Sequence, residues 1–155
     1  MTTGRHSLAT LRPATPDDLP AITALLEAAH LPPWELEQHL DKFVVAERDG
    51  RVVGAGGLET YPNCAAGLVR SMAVDEPLRG TGLGRRILEW VMQRAADDGL
   101  AQLFLFTRDA REFYVHFGFS DVTLDEFPEA MHTSAQYQGV KRFGEQFGIV
   151  AMTKR

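Results

Sequence analysis

The sequence predicts a mixed α/β fold of the α+β kind, in which a mostly antiparallel sheet is flanked by helices. Three observations lead there. Apolar patterning alternates between the two periods in a fixed order: strand, helices, a run of strands, helix, strand, helix, strands. Asp49-Gly50 sits between two apolar runs, a strong hairpin signal. Leu83, Ile87, Leu88, Val91 and Ala95 recur at helical spacing and stop at Gly99, which marks one long amphipathic helix.

Taken in order, residues 1–7 are small and polar and read as a loose terminus, leaving 8–155 for one domain. A short strand is expected around Ala9–Arg12. Thr15-Pro16-Asp17-Asp18 is a helix start, with a capping Thr, Pro at the first helical position and acids in the first turn. Ile22, Leu25, Leu26 and Ala29 form the stripe of that helix to about His30, where Leu31-Pro32-Pro33 breaks it. A second short helix is expected from Trp34 to Leu40. Strand, turn and strand follow at 43–47, 49–50 and 51–57, the last continuing through Leu58 and Glu59 to a turn at 61–66. Further strands are expected at 68–74, 102–106 and 149–152, and helices at 83–98 and 109–117. Residues 128–147 have no decisive pattern.

The 155 residues are enough for one domain that removes about 70% of its unfolded surface from water. With 45% hydrophobic and 24% charged residues, the composition is that of a globular protein rather than a disordered or fibrous one. The net charge of −5 argues against a nucleic-acid partner. One cysteine, Cys64, rules out an internal disulfide and a Cys-rich zinc site, and its predicted turn contains no adjacent base to activate it. No apolar run reaches the roughly 20 residues needed to span a bilayer, so a cytoplasmic protein with no membrane partner is expected. The five histidines lack metal-ligand spacing and read as surface or helix-end residues, so no metal is expected.

The segment with the most chemistry is Arg79-Gly80-Thr81-Gly82-Leu83-Gly84-Arg85-Arg86. It joins a strand to a helix, where free backbone N–H groups and the positive helix end favour an anion. Glycines let such a group approach the backbone. Arg85 and Arg86 are unfavourable in a first helical turn unless a polyanion reverses the local sign. The spacing is neither G-x-G-x-x-G nor that of a P-loop. A tight turn carrying solvated arginines is the alternative.

Arg79-x-x-Gly82-x-Gly84 resembles the Q/R-x-x-G-x-G/A signature of the GCN5-related N-acetyltransferase (GNAT) family. Arg70-Ser71-Met72-Ala73-Val74 is similar to that family's central strand, and Ala110-x-x-Phe113-Tyr114-x-x-x-Gly118-Phe119 to its second signature. The resemblance covers about residues 8–122. It implies a GNAT-like fold and an acetyl-CoA-dependent N-acetyltransferase that needs no metal. The diphosphate would be cradled by Arg79, Gly80, Thr81, Gly82, Leu83, Gly84 and Arg85, and the pantetheine arm would meet the backbone of Met72, Ala73 and Val74. An Asn that contacts the cofactor arm in many members is absent from Thr107-Arg108-Asp109, so that contact is lost or taken by Thr107. Looser motifs, among them Gly57-Leu58-Glu59, Leu68–Val74 and Phe127-Pro128-Glu129-Ala130, are most similar to small bacterial amino-acid N-acetyltransferases. Within these the arsenic-resistance branch, with glutamate-like arsenic or phosphorus substrates, stands nearest, and N-acetylglutamate synthases are similar too.

The resemblance also implies that Tyr114 protonates a departing thiolate. A phenol with an ordinary pKa of about 10 is protonated at neutral pH and able to do so. The alternative is a core Tyr whose hydroxyl finds a partner. If the strands pair as a hairpin, Glu59 and Arg70 lie opposite one another with Cβ atoms roughly 5 Å apart. Arg70 would then clamp a substrate carboxylate, while Glu59 orients the acceptor amine or takes its proton through water. An ion pair that needs no ligand is the equal alternative. Period-two alternation puts Ser71 on the face opposite Arg70. Trp34 and the 137–142 region are candidates for acceptor-pocket walls, and equally for packing residues or a homodimer contact. The expected acceptor is a small-molecule amine. Other readings of the chain are a protein N-acetyltransferase and a non-catalytic acyl-CoA sensor.

Overall fold

The computed structural model describes residues 8–155, so the loose terminus expected at residues 1–7 lies outside the described residues. Seven strands form one sheet: β1 (Thr10–Pro13), β2 (Phe43–Arg48), β3 (Arg51–Thr60), β4 (Ala66–Val74), β5 (Gln102–Thr107), β6 (Ser120–Val122) and β7 (Val150–Lys154). Their order across the sheet is β1-β2-β3-β4-β5-β7-β6. β1/β2, β2/β3, β5/β7 and β6/β7 pair antiparallel, whereas β4/β5 is parallel. The helices are α1 (Leu19–Ala28), α2 (Leu36–His39), α3 (Leu83–Asp97), α4 (Arg111–Val115) and α5 (Ala135–Phe143). This is the mixed, mostly antiparallel sheet with helices that the patterning predicts.

By packing, the chain divides into two compact units. One holds the described residues up to Gly57 together with Ser71–Arg94; the other holds Leu58–Arg70 and Ala95–Arg155.

In the first unit, Ile22 and Leu26 of α1 share one helical face and pack with Leu36, Leu40, Phe43, Val45, Ala55 and Ala73. Gly57 is dictated by this core, because a Cβ there would lie 2.2 Å from the Phe43 ring. The helix expected from Thr15 to His30 starts differently, with Pro16–Asp18 as a 3₁₀ turn before α1. The Asp18 carboxylate is drawn toward Arg12 (2.8 and 2.9 Å) and the Thr15 amide (2.8 Å), which holds that turn tight. At the other end, His30 takes a left-handed φ of 58°. Its amide bonds Glu27 (3.1 Å) while that of Leu31 bonds Leu26 (2.8 Å), closing the helix in a Schellman arrangement. Helix α2 is shorter than the expected 34–40 because Glu35 is also left-handed, φ 59°, and Leu40–Lys42 tighten into a 3₁₀ turn. Asp49 and Gly50, φ 53° and 75°, make the two-residue turn that the sequence predicts between β2 and β3.

In the second unit, Ala66 and Leu68 of β4 pack with Phe104, Phe127, Met131 and Tyr137. The parallel register of β4 with β5 runs from Ala66↔Gln102 to Val69↔Leu105. Residues 128–147, undecided from sequence, fold as a 3₁₀ turn, Glu129–Thr133, followed by α5. The Ser134 hydroxyl caps α5 by accepting from the amides of Gln136 (3.2 Å) and Tyr137 (3.4 Å). Tyr137 is buried, with its ring stacked on His132 at 4.4 Å, the contacts of a packing residue. His132 lies in the last turn of Glu129–Thr133, a helix-end histidine as expected. It is half-buried, and a ring nitrogen lies 3.2 Å from the Phe127 carbonyl, because a stacking partner and an acceptor are both within reach.

Candidate functional site

Strand β4 supplies the first part of the site. Ser71, φ 61°, is left-handed within the strand, a conformation seldom adopted by a residue with a Cβ. The alternation that would set Ser71 opposite Arg70 therefore does not carry through the strand. The Met72 sulfur, Ile87 and Val91 crowd over Gly56, where a Cβ would fall 2.6 Å from the sulfur and 2.7 Å from Ile87. Ala73 joins the α1 core. Met72, Ala73 and Val74 follow the last registered pair with β5, Val69↔Leu105, and Asp75 returns its amide to the Val53 carbonyl at 2.8 Å.

The Gly-rich turn follows. Gly80 and Gly82 have φ of 80° and 90°, and a Cβ on either would meet nothing within 4 Å. Backbone conformation, rather than crowding by the protein, thus demands glycine, and the space beside both residues is open. Arg79 bonds the Val74 carbonyl through Nε (3.1 Å), and the Thr81 hydroxyl bonds the Leu78 carbonyl, so the turn is braced from within. The first helical bond of α3 runs from Arg86 to Gly82 (3.1 Å). The amides of Leu83, Gly84 and Arg85 precede it and point along the axis of a 15-residue helix. Arg79 and Arg85 are exposed, Arg85 within 3.5 Å of Glu89. Open space, helix-end amides and cationic side chains together fit a bound polyphosphate.

Glu59 and Arg70 meet as the hairpin argument anticipates. Arg70 donates to one Glu59 carboxylate oxygen at 2.8 Å, with side chains 1% and 0% exposed. The other oxygen accepts from the Tyr61 hydroxyl. Sequence reasoning placed Tyr61 in a turn and missed it. The usable signal was its spacing, because two residues along an extended chain place Tyr61 on the face of Glu59.

Tyr114 lies on α4 and is buried, with Phe113 and Phe119 edge-on at 5.1 and 5.8 Å. Burial pushes its phenol above the ordinary value, so it keeps its proton throughout the neutral range. Phe113 and Phe117, four residues apart, pair at 5.1 Å. The Thr107 hydroxyl accepts from the Ala110 amide at 3.1 Å, which braces the entry to α4. Trp34 is 47% exposed. Cys64 lies in the expected turn, its sulfur 3.6 Å from the Ala66 carbonyl.

Residues 39–121 match the model of the acetyltransferase (GNAT) domain. The chain belongs to the GNAT family. Both signature segments of this GNAT chain, at 79–84 and 110–119, fall inside the match. An amino-acid acetyltransferase of Ralstonia nicotianae is 36% identical over 126 residues, covering 77% of this chain and 28% of that protein. The amino-acid acetyltransferase of Escherichia coli is 29% identical over 104 residues, covering 67% and 24%. This GNAT chain thus spans about a quarter to a third of the length of the curated relatives it matches. Among solved structures, N-acetylglutamate synthase from Neisseria gonorrhoeae, complexed with coenzyme A and N-acetyl-glutamate, superposes with a TM-score of 0.78 at 25% identity, over 97% of this chain and 36% of that one. Mycobacterium tuberculosis Rv2747, in complex with CoA, has a TM-score of 0.75 at 27% identity over 94% and 98%. Among the described residues of this GNAT chain, no helix is long and apolar enough to cross a membrane.

Proposed function

We propose that the chain is an acetyl-CoA-dependent N-acetyltransferase acting on the amine of a small amino acid, of the glutamate type. The observation that carries this reading is the braced turn at 79–86, with its two left-handed glycines and arginines at the mouth of α3. Names and ligands of the relatives favour an amino-acid acceptor. Looser motifs favour glutamate analogues with an arsenic or phosphinic tail as a second acceptor class.

Acetyl-CoA, when bound, supplies an acetyl thioester and a thiolate leaving group. Arg79, Arg85 and the amides of 82–85 hold its diphosphate, and the backbone of Met72–Val74 aligns the arm and polarises the carbonyl. The acceptor amine attacks directly: a C–N bond forms and the C–S bond breaks. The Glu59–Arg70 pair orients the acceptor through its charged groups, and the amine's proton leaves by way of water. Tyr114 gives the phenol proton to the sulfur and is reprotonated from solvent. Positioning and the field of the site supply most of the acceleration, so no nucleophilic side chain is required.

The reading is tested by incubating purified protein with acetyl-CoA and a panel of glutamate, other amino acids, phosphinic and arsenic glutamate analogues and peptides, following free-thiol release. Acceptor-dependent release with an amino acid is the expected result. Release with peptides alone would make the chain a protein N-acetyltransferase. CoA binding without release across the panel would make it a sensor.

A further inference from the structure

We infer that Tyr61 is a positioning residue for the acceptor. It holds the Glu59 carboxylate, and through it the Arg70 guanidinium, in the orientation that an amino-acid acceptor meets. The inference deepens the proposed acyl transfer and rests on that reading. Glu59 has two carboxylate oxygens and each takes a donor from a different side chain: Oε2 from Arg70 at 2.8 Å, Oε1 from the Tyr61 hydroxyl. A carboxylate held at one oxygen can still turn about its last torsion, whereas one held at both is fixed in plane as well as position. The order in the chain makes this lock local. Glu59 stands near the end of β3, Tyr61 opens the turn that follows, and Arg70 lies on β4. Burial leaves the pair no bulk water to substitute for a missing donor, since the Glu59 side chain is 0% exposed. The Tyr61 ring itself packs against the cluster of Ala66, Leu68 and Phe104, so the hydroxyl is presented from a fixed base. Removing the hydroxyl alone takes that donor from Glu59 Oε1 while the ion pair and the ring packing remain.

The test compares wild type, Tyr61→Phe, Glu59→Gln and the double variant, in turnover with L-glutamate and acetyl-CoA and in calorimetric binding of L-glutamate with CoA present. Tyr61→Phe is expected to raise the glutamate KM and Kd about tenfold, the worth of one hydrogen bond to a charged group, with the acetyl-CoA KM unchanged. Adding Tyr61→Phe to Glu59→Gln is expected to cost less than Tyr61→Phe does alone, because the hydroxyl acts through that carboxylate. A purely structural role would lower the thermal midpoint without splitting the two KM values. Wild-type turnover with Tyr61→Phe matching it within twofold, or independent effects of the two substitutions, overturns the inference while leaving acyl transfer intact. Wild type that binds glutamate without turnover, with binding still weakened in Tyr61→Phe, overturns the catalytic reading and supports the positioning role. Neither binding nor turnover by wild type overturns both.

Discussion

Replacing Arg70 with Met strands the Glu59 carboxylate inside the protein, and the structure sets the size of the effect. The two side chains are 1% and 0% exposed and 2.8 Å apart, so neither charge has solvent to fall back on. Removing one member of such a pair costs about 3–5 kcal/mol, most of it the desolvation of the charge left behind. Here the Tyr61 hydroxyl still holds one oxygen, which places the loss near the lower end, about 3 kcal/mol. For a chain of this length that is a fall of about 6–12 °C in Tm. Met fills much of the space of the arginine stem, so the loss reports charge rather than a cavity. The assay is urea unfolding at pH 7, with the m-value as a check that the denatured state is unchanged. Replacing both members, Arg70→Met with Glu59→Leu, is expected to recover more than half of the loss, since a buried pair is often exchanged for apolar groups at little cost. A loss below about 1 kcal/mol for Arg70→Met alone would refute the reasoning, because that is what a solvated surface pair is worth.

Three other perturbations separate the parts of the molecule. Gly82→Ala forces a Cβ onto a φ of 90°, which strains the turn by about 1–2 kcal/mol even though no neighbour is within 4 Å; calorimetry should show CoA binding weakened more than tenfold. Tyr114→Phe should lower kcat about 100-fold with the acetyl-CoA KM unchanged, and the wild-type rate should show no loss from phenol ionisation up to pH 10, because burial raises that group. Arg12 holds the Asp18 carboxyl down from 3.8 to about 2, so the stabilisation it gives is complete above the unfolded value and is lost as pH falls from about 4 through 2. Asp18→Asn should accordingly destabilise the protein at pH 7 and matter little near pH 2, as read by thermal unfolding across that window.

How much was legible varied with how local the deciding physics is. Asp49-Gly50 and the stop at Gly99 were readable because a left-handed φ is written in the residue type. His30, Glu35 and Ser71 adopt the same conformation without that sign; His30 closes α1 about where its end was expected, whereas Glu35 shortens α2 and Ser71 breaks the alternation of β4. Helix α5 went unread because Ser134 is an ordinary cap and the helix owes its place to Tyr137 lodged among Phe127, His132 and Met131, residues brought together only by folding. The anion turn was readable because glycine, arginine and a helix start are contiguous. The Glu59–Arg70 meeting was readable because a hairpin is the shortest path between two strands, whereas Tyr61 carried only its two-residue spacing from Glu59, a signal masked once the residue is assigned to a turn.

The class of sheet, the long helix after the Gly-rich turn and the two segments that mark the family are written in neighbouring residues and their periods. Tertiary structure decided the phase of β4 beyond Ser71, the burial of Glu59 with Arg70, and the hydroxyl that completes their lock. Burial is a sum over atoms distant in the chain, and the strength of a charge pair depends on how much water that sum removes.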